Sequence, residues 1–211
     1  MNRKDEEMMR RENVELLVGN EGLGAGAVAD RADGARSVGV PVELGTLVEE
    51  LTPRLARLLG ESIDLVTRPS PEALRVRIEA DDLVQIIVCL AQNARDAMPV
   101  GGRLVLDTAA VHLDPERMVA LHCPPGPYAV LSVSDTGGGT DAEIWARMFE
   151  PFFSAKVDGS GRSLDLSVVY ALVKRAGGHL AVETSLGDGS TVRVYLPRAP
   201  SSQEGESRGQ S

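Results

Sequence analysis

Two stretches of this chain carry apolar residues at helical spacing on one side only, and that one-sidedness constrains the fold more than any other feature. From Val42 to Leu59, the residues Leu44, Leu47, Val48, Leu51, Leu55, Leu58 and Leu59 recur at three and four, and Gly60 follows. The spacing predicts an amphipathic helix with a glycine stop. A second face, Leu83, Ile86, Ile87, Leu90, Ala91 and Ala94, runs from a cap at Asp81 or Asp82 through Met98, and Pro99, Gly101 and Gly102 close it. Neither helix can bury its stripe alone, so each needs a sheet or another helix to cover it.

The rest of the chain offers strands. Ile63 to Thr67 and Leu74 to Ile78 alternate around the turn-like RPSPEA and are expected to pair with each other. Arg103 to about Leu113 and Tyr128 to Ser134 read as strands on either side of a Pro-rich loop at His122, Cys123, Pro124 and Pro125. A short helix is expected at 141–148 and an aperiodic loop at 149–163. Leu164 to Ala176 reads as a helix stopped by Gly177 and Gly178, and 179–185 with 191–196 as a hairpin over LGDGS. The expected class is α+β: a two-layer α/β sandwich, with a mixed sheet carrying about three helices on one face. Residues 1–41 read as a short charged helix plus a Gly- and Ala-rich linker, 42–197 as the folded domain, and 198–211 as a disordered tail.

Composition narrows the function. With 211 residues, 43% of them hydrophobic, the chain supports one well-buried core. Acidic residues outnumber basic ones 31 to 22, for a net charge of −9, so the overall field repels phosphate backbones and no nucleic-acid partner is expected. No run approaches the roughly 18 apolar residues of a membrane span, and no apolar segment follows the charged start. The two cysteines, Cys89 and Cys123, form no CxxC pair. No membrane association and a cytoplasmic setting are expected.

Three segments interrupt regular elements with polar or glycine residues. In LAQNARDAMP (90–99), Asn93 sits beside apolar neighbours; alone, it fits a satisfied structural amide. In SVSDTGGGTD (132–141), a strand ends in Asp135 and three glycines; a buried carboxylate there suits an exocyclic amine, and a tight turn is the plainer account. FEPFFSAKVDGSGRSLDLS (149–167) is a loop running into a helix N-terminus, the usual place for backbone amides to hold phosphate.

In their order and spacing these segments resemble the motifs of the ATP-binding catalytic domain of sensor histidine kinases, within the gyrase, chaperone, kinase and mismatch-repair ATPase superfamily. Residues 85–99 look like its N box, DTGGG at 135–139 like its first glycine box, FEPFFSAK at 149–156 like its F box, and GSGRSLDLS at 159–167 like its second glycine box. The following VVYALVKRAGGHLAVETSLGDGSTVRVYLP is similar to the family's closing helix and hairpin. The resemblance implies the Bergerat-type ATP-binding fold, with ATP between helices and under a lid. It implies that Asn93 offers its amide oxygen to a Mg²⁺ held by the phosphates, a hard donor for a hard cation. It further implies that Asp135 takes the adenine amino group, Gly137 and Gly139 let the nucleotide pass, and Lys156 approaches the terminal phosphates. Gly159 and Gly161 would begin the phosphate cradle, and Asp96, Phe149, Ser163, Leu164 and Asp165 would also line the nucleotide. The implied ligands are ATP or ADP with Mg²⁺, and the implied partner is a histidine-bearing kinase domain or a response regulator.

The chain departs from that pattern in three places. Ser163 and Asp165 stand where the family usually has glycine. A side chain forced to positive φ costs about 1 to 2 kcal/mol, and a carboxylate about 6 Å from a phosphate charge costs roughly 3 kcal/mol at an effective dielectric of 20. Asp165 is also a good helix N-cap, so its carboxylate can fill the anion position. Cys89, four residues before Asn93, stands where these kinases commonly have a second Asn and hydrolytic relatives a Glu, and a thiol is no base for water. Finally, none of the three histidines, His112, His122 and His179, stands in an acceptor context, and residues 1–41 contain none. A zinc site from His122 and Cys123 lacks further ligands at usable spacing.

The expectation is therefore a histidine-kinase-type ATP-binding domain without its own phosphoacceptor and with part of its cradle degraded, a pseudokinase regulating a signalling partner. The alternative is an active kinase transferring the γ-phosphoryl of ATP to a histidine on a partner. A serine kinase of the anti-sigma type shares the superfamily fold, but FEPFFSAK and GGHL are more like hybrid sensor kinases.

Overall fold

The computed structural model describes residues 40–113, 124–139 and 166–199. The helix expected at 141–148, the loop at 149–163, residues 1–39 and the chain from residue 200 onward lie outside the described residues.

β1 (Val42–Glu43) leads directly into α1 (Leu44–Leu59). Glu43 sets the start: its carboxylate accepts from the amides of Gly45 and Thr46, and also from Leu74 just before β3 (Arg75–Val76). Burial raises the Glu43 carboxyl, but the bonds from Thr46, Leu74 and Gly45 outweigh it and hold the group below its ordinary range. Pro53 lies inside α1 on its exposed side, where water can reach the carbonyl that its missing amide leaves free. The remaining elements are β2 (Ile63–Arg68), α2 (Ala80–Ala97), β4 (Gly102–Leu113), β5 (Gly126–Asp135), α3 (Leu166–Arg175), β6 (His179–Ser185) and β7 (Gly189–Pro197). Helix α2 begins at Glu79, not at Asp81 or Asp82, and no side chain caps it. Asp82 is instead paired with Arg175 at the end of α3.

The main sheet has the order β2-β4-β5-β7-β6, with β2 and β4 parallel and every other pair antiparallel. The expected pairing of β2 with β3 is not made. β3 is two residues long and pairs with β1, Val76 opposite Val42, beside the Glu43 cap. β2 finds its partner in β4, on the far side of α2, because parallel neighbours need such a crossover and leave no turn signature between them. Past Pro197 the chain stays attached to β3: Arg198 bridges Val76 and Ala199 donates to the Arg75 carbonyl at 2.8 Å.

One face of the sheet is apolar along its whole width. Leu104 and Leu106 of β4, Leu131 and Val133 of β5, Val192 and Val194 of β7 and Val182 of β6 join the buried faces of all three helices in one cluster. The three helices therefore share that face, as the two stripes and the third helix required. Cys89 packs against the same cluster. The other face carries a smaller cluster, Leu113, Tyr128 and Ala181 with Val111 and Tyr195, beside the Arg193–Glu183 ion pair.

Register fixes what lies at each end. Ile63 is opposite Gly102, Leu104 opposite Asp135, Asp135 opposite Ser190, and Ser185 opposite Gly189. The C-terminus of α2 reaches the same end, because β4 starts a short turn after Ala97.

Candidate nucleotide-binding site

Asp135 occupies the parity of Ala129, Leu131 and Val133, so its carboxylate sits on the helix-covered face at the last position of β5. Burial pushes its pKa above the ordinary carboxylate value, partly offset by hydrogen bonds from the amides of Gly137 and Ser190; the Gly137 bond is 2.8 Å. None of the ion pairs among the described residues involves it.

Asn93 lies one turn before the end of α2. Its amide nitrogen is buried and has no hydrogen-bond partner among the described residues. A buried donor left unpaired costs about 1 to 3 kcal/mol, so the group calls for a partner beyond the described residues. Asp96, three residues on, is exposed and held by its neighbour Arg95 at 3.0 Å; Arg95 also reaches the Leu58 carbonyl at the end of α1.

The glycine segment joins these two elements. Gly138 donates to the Ala97 carbonyl of α2 at 3.2 Å, and its own carbonyl accepts from Gly187, in the β6–β7 turn, at 2.8 Å. A β-carbon on Gly137 would lie 2.5 Å from the Ala97 oxygen, and one on Gly139, at φ +62°, would collide with the Ser185 oxygen. The need for glycine at both positions is thus already set by the protein's own backbone. Of these three glycines, only Gly138 has open space where a side chain would go.

Two groups here were not singled out from the sequence. Ser190, opposite Asp135, is buried, and its hydroxyl is 3.0 Å from that of Thr184 on β6. Asp135, Ser190 and Thr184 therefore stand side by side across three strands at the helix-covered corner of the sheet. The signal was available: Ser190 is the polar first member of the parity that continues with Val192, Val194 and Leu196.

Among the predicted site residues, the structure brings together Asn93's helix end, Asp135, Gly137 and Gly139. Phe149, Lys156, Gly159, Gly161, Ser163, Leu164 and Asp165 lie outside the described residues, as do His122 and Cys123. Among the described residues no group of three or more His, Cys, Asp or Glu could hold a metal ion, and no helix is long and apolar enough to cross a membrane.

A mixed five-stranded sheet covered by three helices thus carries a part-buried carboxylate at the end of β5 and, one turn from the end of α2, an amide nitrogen without a partner among the described residues, the two elements being joined through a glycine turn. Residues 78–200 match the family model described as histidine kinase-, DNA gyrase B-, and HSP90-like ATPase, and the chain belongs to that family. It is 36% identical over 158 residues to the sensor kinase CckA of Brucella abortus, covering 74% of this chain and 17% of that protein. It is 35% identical over 153 residues to the two-component sensor PprA of Pseudomonas aeruginosa, covering 70% and 16%. The chain thus spans about a sixth of the length of these relatives. Among solved structures it is similar to the full-length ShkA–AMPPNP complex, with a TM-score of 0.57 and 27% identity over 77% of this chain and 31% of that one. It shares its fold with the mycobacterial sensor histidine kinase MprB, with a TM-score of 0.58 and 23% identity over 77% and 99%.

Proposed function

We propose that this chain is an ATP-binding module of two-component signalling that holds adenine and metal through intact groups, grips the phosphates weakly, and regulates a signalling partner. The observation that carries the reading is the buried, unpaired amide of Asn93 on the helix whose end holds the segment after Asp135. A Mg-nucleotide uses both ends of such an amide, the oxygen toward the cation and the nitrogen toward a phosphate oxygen. The Asp135 carboxylate, with the Ser190 and Thr184 hydroxyls beside it, suits the exocyclic amine and ring nitrogens of adenine. The weak phosphate grip rests on Ser163 and Asp165. Relatives named as sensor kinases, and one solved in complex with AMPPNP, support the ligand class and the signalling context.

Calorimetric titration with Mg-ADP and Mg-ATP tests this. Binding of both is expected, ADP nearly as well as ATP, and Asn93→Ala or Asp135→Ala should abolish it; unchanged affinity in both variants overturns the reading. The double change Ser163→Gly and Asp165→Gly should tighten ATP by roughly 2 to 4 kcal/mol, or about 30- to 1000-fold.

A second reading, phosphoryl transfer to a histidine outside these 211 residues, is favoured by Lys156 within FEPFFSAK. Positioning and charge neutralisation supply most of the catalysis in such transfers. Radiolabelled ATP and a histidine-bearing kinase domain would give an acid-labile label on the partner if it holds, and none if the module only binds.

A further inference from the structure

The β6–β7 turn meets the candidate site from the side opposite α2. Leu186, at its tip, is 73% exposed. Just inside it, Gly189 adopts φ +81°, and the Asp135 carbonyl oxygen occupies the place its β-carbon would take. The next residue, Ser190, gives its amide to the Asp135 carboxylate. Gly187 holds the carbonyl of Gly138, and Gly138 holds the end of α2. A continuous backbone path therefore runs from an exposed turn, through Asp135, to the helix of Asn93.

We propose that Gly189 is a positioning residue of the nucleotide site: its missing β-carbon lets the hairpin seat Asp135, so the exposed β6–β7 turn sets nucleotide affinity without touching the nucleotide. The proposal rests on the reading of Asp135 as the adenine partner. A methyl group at residue 189 forces the Asp135 carbonyl away, and with it the carboxylate from the Ser190 amide. A shift of about 1 Å suffices, because it takes a hydrogen bond of ordinary length beyond its range.

The test compares Gly189→Ala with Gly60→Ala. Gly60 has nearly the same φ, +78°, and nothing within 4 Å of a β-carbon, so it carries the backbone strain without the collision. Mg-ADP affinity is measured by calorimetry across pH on each folded variant. Gly189→Ala should weaken binding at least tenfold and move the midpoint of the affinity–pH curve upward, because Asp135 loses a donor that favours its charged form. Gly60→Ala should leave both unchanged while still losing some thermal stability to backbone strain. Gly189→Ala with wild-type affinity and midpoint overturns the positioning role. Wild-type affinity in Asp135→Ala overturns the adenine reading, and this proposal with it. Should Gly189→Ala fail to fold, amide hydrogen exchange of Gly187 in the unaltered protein decides: slowing by Mg-ADP supports the linkage, and an unchanged rate overturns it.

Discussion

Toward the end of the sheet where β6 begins, side chains answer one another. Lys174 Nζ lies 3.3 Å from His179 Nδ1, the Tyr128 hydroxyl donates to the Pro124 carbonyl at 3.0 Å, and the rings of Tyr128 and His179 meet edge to face. At the opposite end the Asn93 amide nitrogen is buried without a partner among the described residues, the Asp135 carboxyl is lifted by burial, and backbones approach where Gly137, Gly139 and Gly189 leave no room for a side chain. The main apolar cluster runs the length of the helix-covered face, from Leu104 beside Asp135 to Leu196, whereas Tyr128 belongs to the smaller cluster on the other face. The difference teaches that unpaired polar groups and close backbone contacts are gathered at the rim of the candidate site, while the far rim and the core satisfy their own groups.

The largest effect expected tests whether the core really is common to both rims. Leu104 and Leu196 are fully buried, one near the site and one near the far rim. Leu104→Ala and Leu196→Ala should each cost about 2 to 5 kcal/mol in chemical denaturation. Costs that match place the contrast between the rims in polar groups and glycines; a much cheaper Leu104→Ala would mean that the site rim is loosely packed as well.

The glycines come next. Gly139→Ala brings both positive φ and a collision with Ser185, whereas Gly126→Ala at the far rim meets nothing within 4 Å. The first should cost about 3 kcal/mol or more and the second about 1 to 2 kcal/mol, read as melting temperatures. Equal losses would show that the close backbone contacts of the site rim relax easily.

How much of this was legible follows from the range over which each feature is encoded. The three helices and the β6–β7 hairpin were readable because their periodicities and stops are local: the stripe Leu83 to Ala94 and the turn LGDGS need no distant partner to be recognised. The pairing of β2 was not, because its partner β4 lies beyond α2. The cap of α1 was hidden for a different reason: Glu43 accepts locally from Gly45 and Thr46, but glutamate is not among the usual capping residues, and its third bond comes from Leu74, 31 residues on. Asn93, Asp135 and the glycines could be picked out as interruptions of pattern. Why Gly137 and Gly139 must be glycine could not, since the atoms that exclude a side chain belong to Ala97 and Ser185. Ser190 was missed because a hydroxyl beside a turn looks ordinary until its parity is followed into the core.

Acid should move the two rims in opposite directions. Burial, aided by the charge of Lys174, lowers the pKa of His179 from 6.5 to about 4. The folded state binds this proton less well than the unfolded chain, so the stabilisation is complete above 6.5 and is lost as pH falls toward 4. Asp135 is raised above its ordinary 3.8, so its contribution has the reverse sign, present at low pH and lost as pH rises through its folded value. Denaturation between pH 7 and pH 4 should therefore show a fall in stability that His179→Gln removes. Asp135→Asn should be more stable than wild type at neutral pH, by a margin that closes on acidification. A wild-type-like acid loss in His179→Gln would place the responsible group elsewhere.

The smallest effect bears most directly on why the rims differ. If the Asn93 amide is a cost carried for a ligand, Asn93→Leu should raise the stability of the nucleotide-free protein by about 1 kcal/mol, since an apolar side chain of similar size removes the unpaired donor. The same change should abolish Mg-ADP binding, because neither cation nor phosphate finds its partner. Stability that falls instead would mean that Asn93 holds the helix to the sheet and that the site rim is structural at this position. Stability that rises with nucleotide binding intact would break the link between the orphaned amide and the ligand, leaving Asp135 as the group through which the module recognises its nucleotide.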